Sequence, residues 1–226
     1  MIALAGWLLR WLACAVVIGG LISLLAIDYI APLDINNPPN MLTWLHLQLL
    51  KAEPERCYAA LDRSKVNYKR TSEPLQKGCG FEYGATLLSS EMSHGANIVM
   101  NCPALVALLL WEKHVVTPAA ERYFQSKVTR IVQAGTYSCR DVARSKEPRR
   151  SEHATANAID ISQFILANGL KISLEQDWND KGAKKDFQRE VRDGACRIFS
   201  VVLSPDYNPQ HSNHYHMDLS YLRFCR

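Results

Sequence analysis

The 226-residue chain has no cysteines spaced as C-x-x-C, no internal repeat, no low-complexity tract and no G-x-S-x-G turn around any serine. These absences exclude a cysteine-ligated zinc module, a repeat array and the nucleophile elbow of a serine hydrolase. Charge of one sign is also in short supply. The formal net charge is +4, and the cations are dispersed apart from Arg140, Arg144, Lys146, Arg149 and Arg150. With no aromatics interleaved among them, they fall short of a nucleic-acid surface, and no nucleic-acid partner is expected. Histidine is scarce too, at 7 residues, yet 4 of these lie in two short windows, residues 151–160 and 211–218. Crowding of that kind in a histidine-poor chain points to a metal.

The N-terminus carries a long uncharged apolar run. From Trp11 to Ile27 there is no charged residue, with Arg10 before it and Asp28 after it. As a helix, this run would cover about 26 Å, the short end of what crosses a bilayer. Trp7 and Trp11 suit the interface, and no small-x-small cleavage pattern follows the run. The expectation is therefore an uncleaved anchor over residues 1–30. Arg10 and the free amine precede the span while Asp28 and Asp34 follow it, which places the body outside the cytoplasm. A linker rich in proline and asparagine, with a short apolar helix at residues 41–50, would fill residues 31–53 and leave 54–226 as the folded domain.

Cysteine usage agrees with that compartment. Cys14 lies in the apolar run, and six remain: Cys57, Cys79, Cys102, Cys139, Cys196 and Cys225. An even number outside the cytoplasm reads as disulfides, and six cysteines allow 15 pairings. Pairing in sequence order is the expectation: Cys57 with Cys79, Cys102 with Cys139, and Cys196 with Cys225, the last tying the C-terminal end to a helix.

The body reads as α+β: a small antiparallel sheet carrying a zinc site and flanked by helices. Pro54 opens a short helix to Asp62, and residues 81–89 suit a strand. Cys102-Pro103 starts a strongly apolar helix, and Thr117-Pro118 has the residues of a second helix start, threonine as N-cap and proline at N1. Residues 127–139 suit a strand, and residues 141–150 an exposed polar loop. Residues 158–166 alternate so that Ala158, Asp160 and Ser162 share one face, with Asn168-Gly169 turning into a return strand at 170–174. Helical spacing recurs over residues 183–199, and His214 to Leu219 form a last strand.

His153 and Asp160 in the first window, with His216 in the second, make two imidazoles and a carboxylate. That set suits zinc with a fourth position open to water, which zinc makes acidic near pH 7. Alternation along His214-Tyr215-His216 turns both imidazoles to one side of a strand. Asp218 is placed to orient His216 as a hydrogen-bond partner. Ser151 is read as bonding within its own loop, and His46, His94 and His114 as ordinary structural histidines.

The pattern Ser151-x-His153-x-x-x-x-Ala158-x-Asp160, with a later His214-x-His216, resembles the zinc metallopeptidase group that includes lysostaphin, D-alanyl-D-alanine carboxypeptidases and the hedgehog signalling domain. Within it, the order Cys57, Gly78-Cys79-Gly80, Cys102-Pro103, Tyr137-Ser138-Cys139-Arg140, Ser151-Glu152-His153 and His214-Tyr215-His216-Met217-Asp218 is similar to the extensin-like C-terminal domain family of bacteria. The resemblance spans residues 54 to 226 and lacks the Ser-Pro repeats of plant extensin. It implies zinc on His153, Asp160 and His216, and hydrolysis of amide bonds in peptidoglycan stem peptides or cross-links by a protein held in the inner membrane, its body in the periplasm. Related carboxypeptidases place a glutamate base shortly before the last ligand, but no glutamate follows Glu190 here. His211-x-x-His214-x-His216 instead looks like penicillin-insensitive murein endopeptidases, which implies His214 as base with His211 assisting. Arg140 stands where related carboxypeptidases carry an arginine that grips a carboxylate or oxyanion. The missing glutamate keeps a second expectation open, a non-catalytic zinc-containing protein that binds or scaffolds the cell wall.

Overall fold

The computed structural model describes residues 7, 10–20, 32–142 and 149–226, and two compact units, Met1–Leu33 and Asp34–Arg226. In the first, residues 10–20 are helical with exposed side chains, and Trp7 and Trp11 meet edge to face. The remainder of the expected span, residues 21–27, lies outside the described residues. Among those described, no helix is long and apolar enough to cross a membrane.

The second unit is α+β, built on a three-stranded antiparallel sheet and a larger sheet that is antiparallel except where the C-terminal strand joins it. Helix α1 (Thr43–Leu49) and helix α2 (Pro54–Arg63) lead into a sheet of three strands, β1 (Asn67–Gln76), β2 (Cys79–Ser89) and β3 (Ile98–Asn101), paired in that order. Leu47 and Leu50 are buried, so the short helix expected after the linker packs into the body. Strand β1 has no counterpart among the sequence expectations. Its sequence, NYKRTSEPLQ, is exposed at most positions, as an edge strand can be, and therefore shows no hydrophobic alternation.

Helix α3 (Cys102–Trp111) has Asn101 as its N-cap and is buried at all ten positions, which is why its sequence is apolar on every side. It does not end before Thr117. A π-turn (Glu112–Val116) joins it to helix α4 (Thr117–Phe124), and Thr117 has a helical predecessor rather than an extended one. The expected second start is thus an internal kink. Pro118 has no N–H for the preceding turn, the helix widens to a π-turn there, and the Thr117 hydroxyl donates to the Glu112 carbonyl at 3.0 Å. Helix α6 (Ala183–Ile198) crosses this helix closely. A Cβ on Gly194 would stand 2.2 Å from Val115 Cγ1, and Trp111 Nε1 donates to the Val191 carbonyl at 3.0 Å.

The large sheet runs β4 (Val128–Gly135), β5 (Ala158–Leu166), β8 (Tyr215–Asp218), β7 (Val201–Leu203) and β9 (Phe224–Cys225), with β6 (Lys171–Ser173) beside β5. A short helix α5 (Leu174–Asp177) follows β6. Pairing of β5 with β8 sets Ile159 against Met217 and Ile161 against Tyr215, all fully buried. Tyr215 donates to the Gln188 carbonyl of α6, which fixes this face toward the helices. The opposite face carries Asp160 opposite His216, and Ala158 opposite Asp218. One strand register thus builds core and site together.

Three disulfides close the body: Cys57–Cys102, Cys79–Cys139 and Cys196–Cys225. The C-terminal pair is the expected one; the other two are not. Strand β1 carries the chain about 30 Å along the hairpin before the turn at Lys77-Gly78 brings in Cys79, which leaves Cys57 beside the start of α3 instead. Cys79 then meets Cys139, just after β4. Replacing Cys57 and Cys102 together by serine opens a loop spanning 45 residues of sequence separation. Chain entropy sets the cost at about 3–4 kcal/mol, and thermal unfolding should fall by about 10 °C. A melting temperature within about 2 °C of the parent by circular dichroism would show that this bridge contributes no stability.

Candidate metal centre

His153 enters from a 3₁₀ turn (Glu152–Thr155) whose N-cap is Ser151, the serine side chain accepting from the His153 N–H at 3.3 Å. Ser151 therefore bonds within its own loop, as its sequence setting suggests. The turn ends at fully buried Ala156, in the left-handed region at φ 54°. Asn157 ties the loop down: its amide donates to Glu152 Oε2 at 2.5 Å and accepts from Asn101 Nδ2 at 2.9 Å. Asp160 and His216 come from adjacent strands, directly opposite one another.

The three converge. His153 Nε2 lies 3.1 Å from Asp160 Oδ1 and 3.2 Å from His216 Nδ1, and His216 Nδ1 lies 2.9 Å from Asp160 Oδ1. Donors at about 2.0–2.1 Å from a tetrahedral zinc ion stand about 3.3 Å apart, so the triangle needs little adjustment to hold one. The outer nitrogens are committed elsewhere. His153 Nδ1 donates to the Thr136 carbonyl at 2.5 Å, and His216 Nε2 to Asp218 Oδ2 at 3.2 Å. Each ring thereby turns a bare lone pair toward Asp160, the arrangement found in metal-ligating histidines. Three lone-pair atoms at such separations repel unless a positive charge stands among them. A proton can be that charge: burial lowers the His216 pKa, but hydrogen bonds to Asp160 and Asp218 outweigh it and raise it to about 9. Burial likewise works against ionised Asp160, yet its close contacts with the His153 and His216 rings hold its carboxyl far below the usual carboxylate range. A divalent cation can fill the same role with all three side chains as ligands.

Two further imidazoles stand beside this triangle. His214 Nδ1 donates to Asn213 Oδ1 at 2.8 Å, and its Nε2 lies 3.9 Å from Asp160 Oδ1. His211 Nδ1 donates to Asn208 Oδ1 at 2.8 Å, and its ring centroid lies 5.1 Å from that of His214 and 6.1 Å from that of His216. Burial is the main cause lowering both: for His214 it prevails over the attraction of Asp160, and for His211, joined by the charges of His214 and His216, it takes the value to about 4. Both are consequently neutral near pH 7, each with Nε2 as the bare acceptor nitrogen. Arg140 completes the group, with Nη2 3.6 Å from Asp160 Oδ2 and about half its side chain exposed. The Cys79–Cys139 bridge precedes it directly, and the Ser151 N–H donates to its carbonyl at 3.1 Å.

All six residues singled out in the sequence are therefore in one place: His153, Asp160 and His216 as the triangle, with His211, His214 and Arg140 around it. Two of the other histidines pair elsewhere: His94 Nε2 stands 2.6 Å from Glu112 Oε1, and His114 Nε2 donates to the Ile35 carbonyl at 2.9 Å. Sequence reasoning missed Thr136, because a carbonyl acceptor leaves no mark on residue type. It also missed the orienting roles of Asn208 and Asn213. Asn208-Pro209 carried a usable signal, since asparagine before proline caps a short helical turn and here caps Pro209–His211.

Fold and site together define a class of protein, a disulfide-closed α+β domain whose larger sheet presents a buried His/Asp triangle of metal-binding spacing. Residues 55–226 match the family described as Extensin-like protein C-terminus, and the chain belongs to that family. No curated protein and no solved structure matches it.

Proposed function

We propose that the protein is a zinc-dependent peptidase that hydrolyses amide bonds in the stem peptides or cross-links of peptidoglycan, its body on the outer side of the membrane. The observation that carries this is the triangle His153, Asp160 and His216, with bare lone pairs aimed inward, flanked by two neutral imidazoles and a guanidinium. It supports the reading suggested by the resemblance of the motifs to the zinc metallopeptidase group. Three disulfides support an oxidising compartment.

His153, Asp160 and His216 would hold the metal. Zinc on three protein ligands supplies Lewis acidity, polarising a carbonyl and making water acidic enough to lose a proton near pH 7. The chain's own residues do the rest. His214, neutral and with Nε2 facing the triangle, takes the proton of the attacking water and returns it to the leaving amine. Asn213 holds that ring in the tautomer the transfer needs, and His211 stands behind it in the same tautomer. Arg140 can accept a substrate carboxylate or the developing oxyanion on its exposed guanidinium edge.

The test is incubation of the whole chain, in detergent, with purified sacculi, with and without chelator and with zinc restored, followed by mass spectrometry of the soluble fragments. Fragments carrying newly hydrolysed peptide bonds are expected only where zinc is present. Binding to sacculi that survives chelation, with no fragment released at any zinc level, would overturn the peptidase reading. That outcome would favour the wall-binding scaffold, for which the lack of any glutamate after Glu190 is the supporting feature.

A further inference from the structure

An aromatic edge leads away from the four histidines, and the mechanism above makes no use of it. The Tyr207 ring centroid lies 5.4 Å from that of His211 and 5.6 Å from that of Phe224, each pair edge to face. Tyr207 is 39% exposed and Phe224 46%, although each belongs to a firmly held segment. Asp206, next to Tyr207, accepts from Trp178 Nε1 at 2.8 Å and pairs with Arg189 and Arg192. Phe224 sits on β9, which runs parallel beside β7, and the adjoining Cys225 is bonded to Cys196 in α6. Hydrogen bonds from the Phe224 N–H to the Ser200 carbonyl and from the Ser204 N–H to the Arg226 carbonyl close the C-terminal end onto the Tyr207 loop. Rigid backbone thus holds two large rings part-way into solvent beside the metal centre.

The residues between the rings and the triangle are equally distinctive. From Tyr207 to His214 the sequence reads Tyr-Asn-Pro-Gln-His-Ser-Asn-His, without one acidic, lysine or arginine side chain, in a protein where such residues make up 21%. Gln210, Ser212 and Asn213 are exposed. Among the described residues the Gln210 side chain makes no hydrogen bond, and Asn213 commits only its oxygen, to His214. This stretch, with Phe224 beside Tyr207, therefore offers aromatic rings and neutral amide donors and acceptors, and residues 207–214 carry no aspartate, glutamate, lysine or arginine.

We infer that this lip, Tyr207 and Phe224 with Gln210 and Asn213, is a binding site for an uncharged sugar chain lying beside the metal centre. A pyranose ring has one face of C–H groups, which packs on the electron-rich face of an aromatic ring. Its rim of hydroxyl and N-acetyl groups needs partners that both donate and accept, which amide side chains are and lysines or carboxylates are not. An apolar peptide side chain would leave the Gln210 and Asn213 amides facing it without partners, at a desolvation cost. The inference rests on the peptidase reading for its biological sense: the sugar backbone would be gripped at the lip while an attached peptide reaches the triangle.

The experiment measures binding of a β-1,4-linked N-acetylglucosamine hexamer, which has no peptide, to the whole chain by calorimetry. A detergent without a sugar headgroup and a chelator in the buffer separate binding from any hydrolysis. The hexamer is expected to bind, and Tyr207→Ala and Phe224→Ala each to weaken it about tenfold, as loss of an aromatic anchor does. Tyr207→Trp, which keeps a flat ring, should stay within about threefold of the parent. Gln210→Ala removes an exposed side chain that supports nothing else in the fold, so its expected weakening of about threefold reads the lip even if an alanine at 207 or 224 unfolds the protein. No hexamer binding by the parent, or equal binding by the folded variants, would overturn the inference. Zinc-dependent cleavage without hexamer binding would remove the lip and leave the peptidase standing. Hexamer binding without cleavage would do the reverse.

Discussion

Asp160→Asn should lower zinc affinity by roughly a hundred- to a thousandfold and abolish zinc-dependent cleavage in parallel. The size follows from dividing a typical structural zinc binding free energy of about 10–16 kcal/mol over four ligands, which leaves about 2.5–4 kcal/mol for each. Asp160 bears more than an even share of the work. It supplies the only formal negative charge within the triangle, its Oδ1 lies within 3.1 Å of both imidazole nitrogens, and its Oδ2 faces Arg140. Asparagine keeps the shape and the packing against Gly135 across the strand pair, so the fold is expected to persist. Zinc content by elemental mass spectrometry, after dialysis against a graded series of chelators, gives the affinity directly. A variant that retains one zinc per chain at the chelator strength that the parent only just withstands would remove Asp160 from the ligand set. His153→Ala run beside it would then show whether the triangle binds metal at all.

That three side chains from distant points in the chain could be grouped as one candidate site from sequence has a physical basis. A metal site needs particular residue types, and in a chain with 7 histidines their crowding is visible before any fold is known. Strand alternation then told which side chains share a face, and the register observed, Asp160 opposite His216, follows that alternation. What stayed illegible has causes of other kinds. Strand β1 is polar, contains Pro74 and is exposed at most positions, so no periodic signal marks it. The joint of α3 and α4 reads as a boundary because Thr117-Pro118 has the residues of a helix start, and only packing carries the helix through. The pairings of Cys57, Cys79, Cys102 and Cys139 depend on where a hairpin ends in space, which sequence order does not encode. Thr136 acts through its carbonyl, and any residue type could do the same.

His214→Ala should leave the zinc content unchanged and lower kcat by about a hundred- to ten-thousandfold, the range expected for removing a group that moves the proton in the transition state. The division of labour among the second window's histidines turns on this variant. If His214 were a ligand, its loss would carry the metal away, as loss of Asp160 should. Its Nε2 is 3.9 Å from Asp160 Oδ1, beyond the separations inside the triangle, and among the described residues it meets no hydrogen-bond partner. The acid side of the pH profile gives a second reading. Burial, only partly offset by Asp160, lowers the His214 pKa below the ordinary imidazole value, and a divalent cation nearby would lower it further. The working form is the neutral ring, so activity should be lost as pH falls through that lowered pKa, and the acid limb of kcat/KM should lie below about pH 6.5. In His214→Ala the residual rate should lose that limb. Asn213→Ala, which frees the ring without removing it, should keep the limb and lower kcat by a smaller factor, about tenfold. A His214→Ala protein that retains its zinc and cleaves at the parent rate would end the assignment of His214 as base. His211, also neutral near pH 7 and held in the same tautomer by Asn208, would be the side chain to replace next.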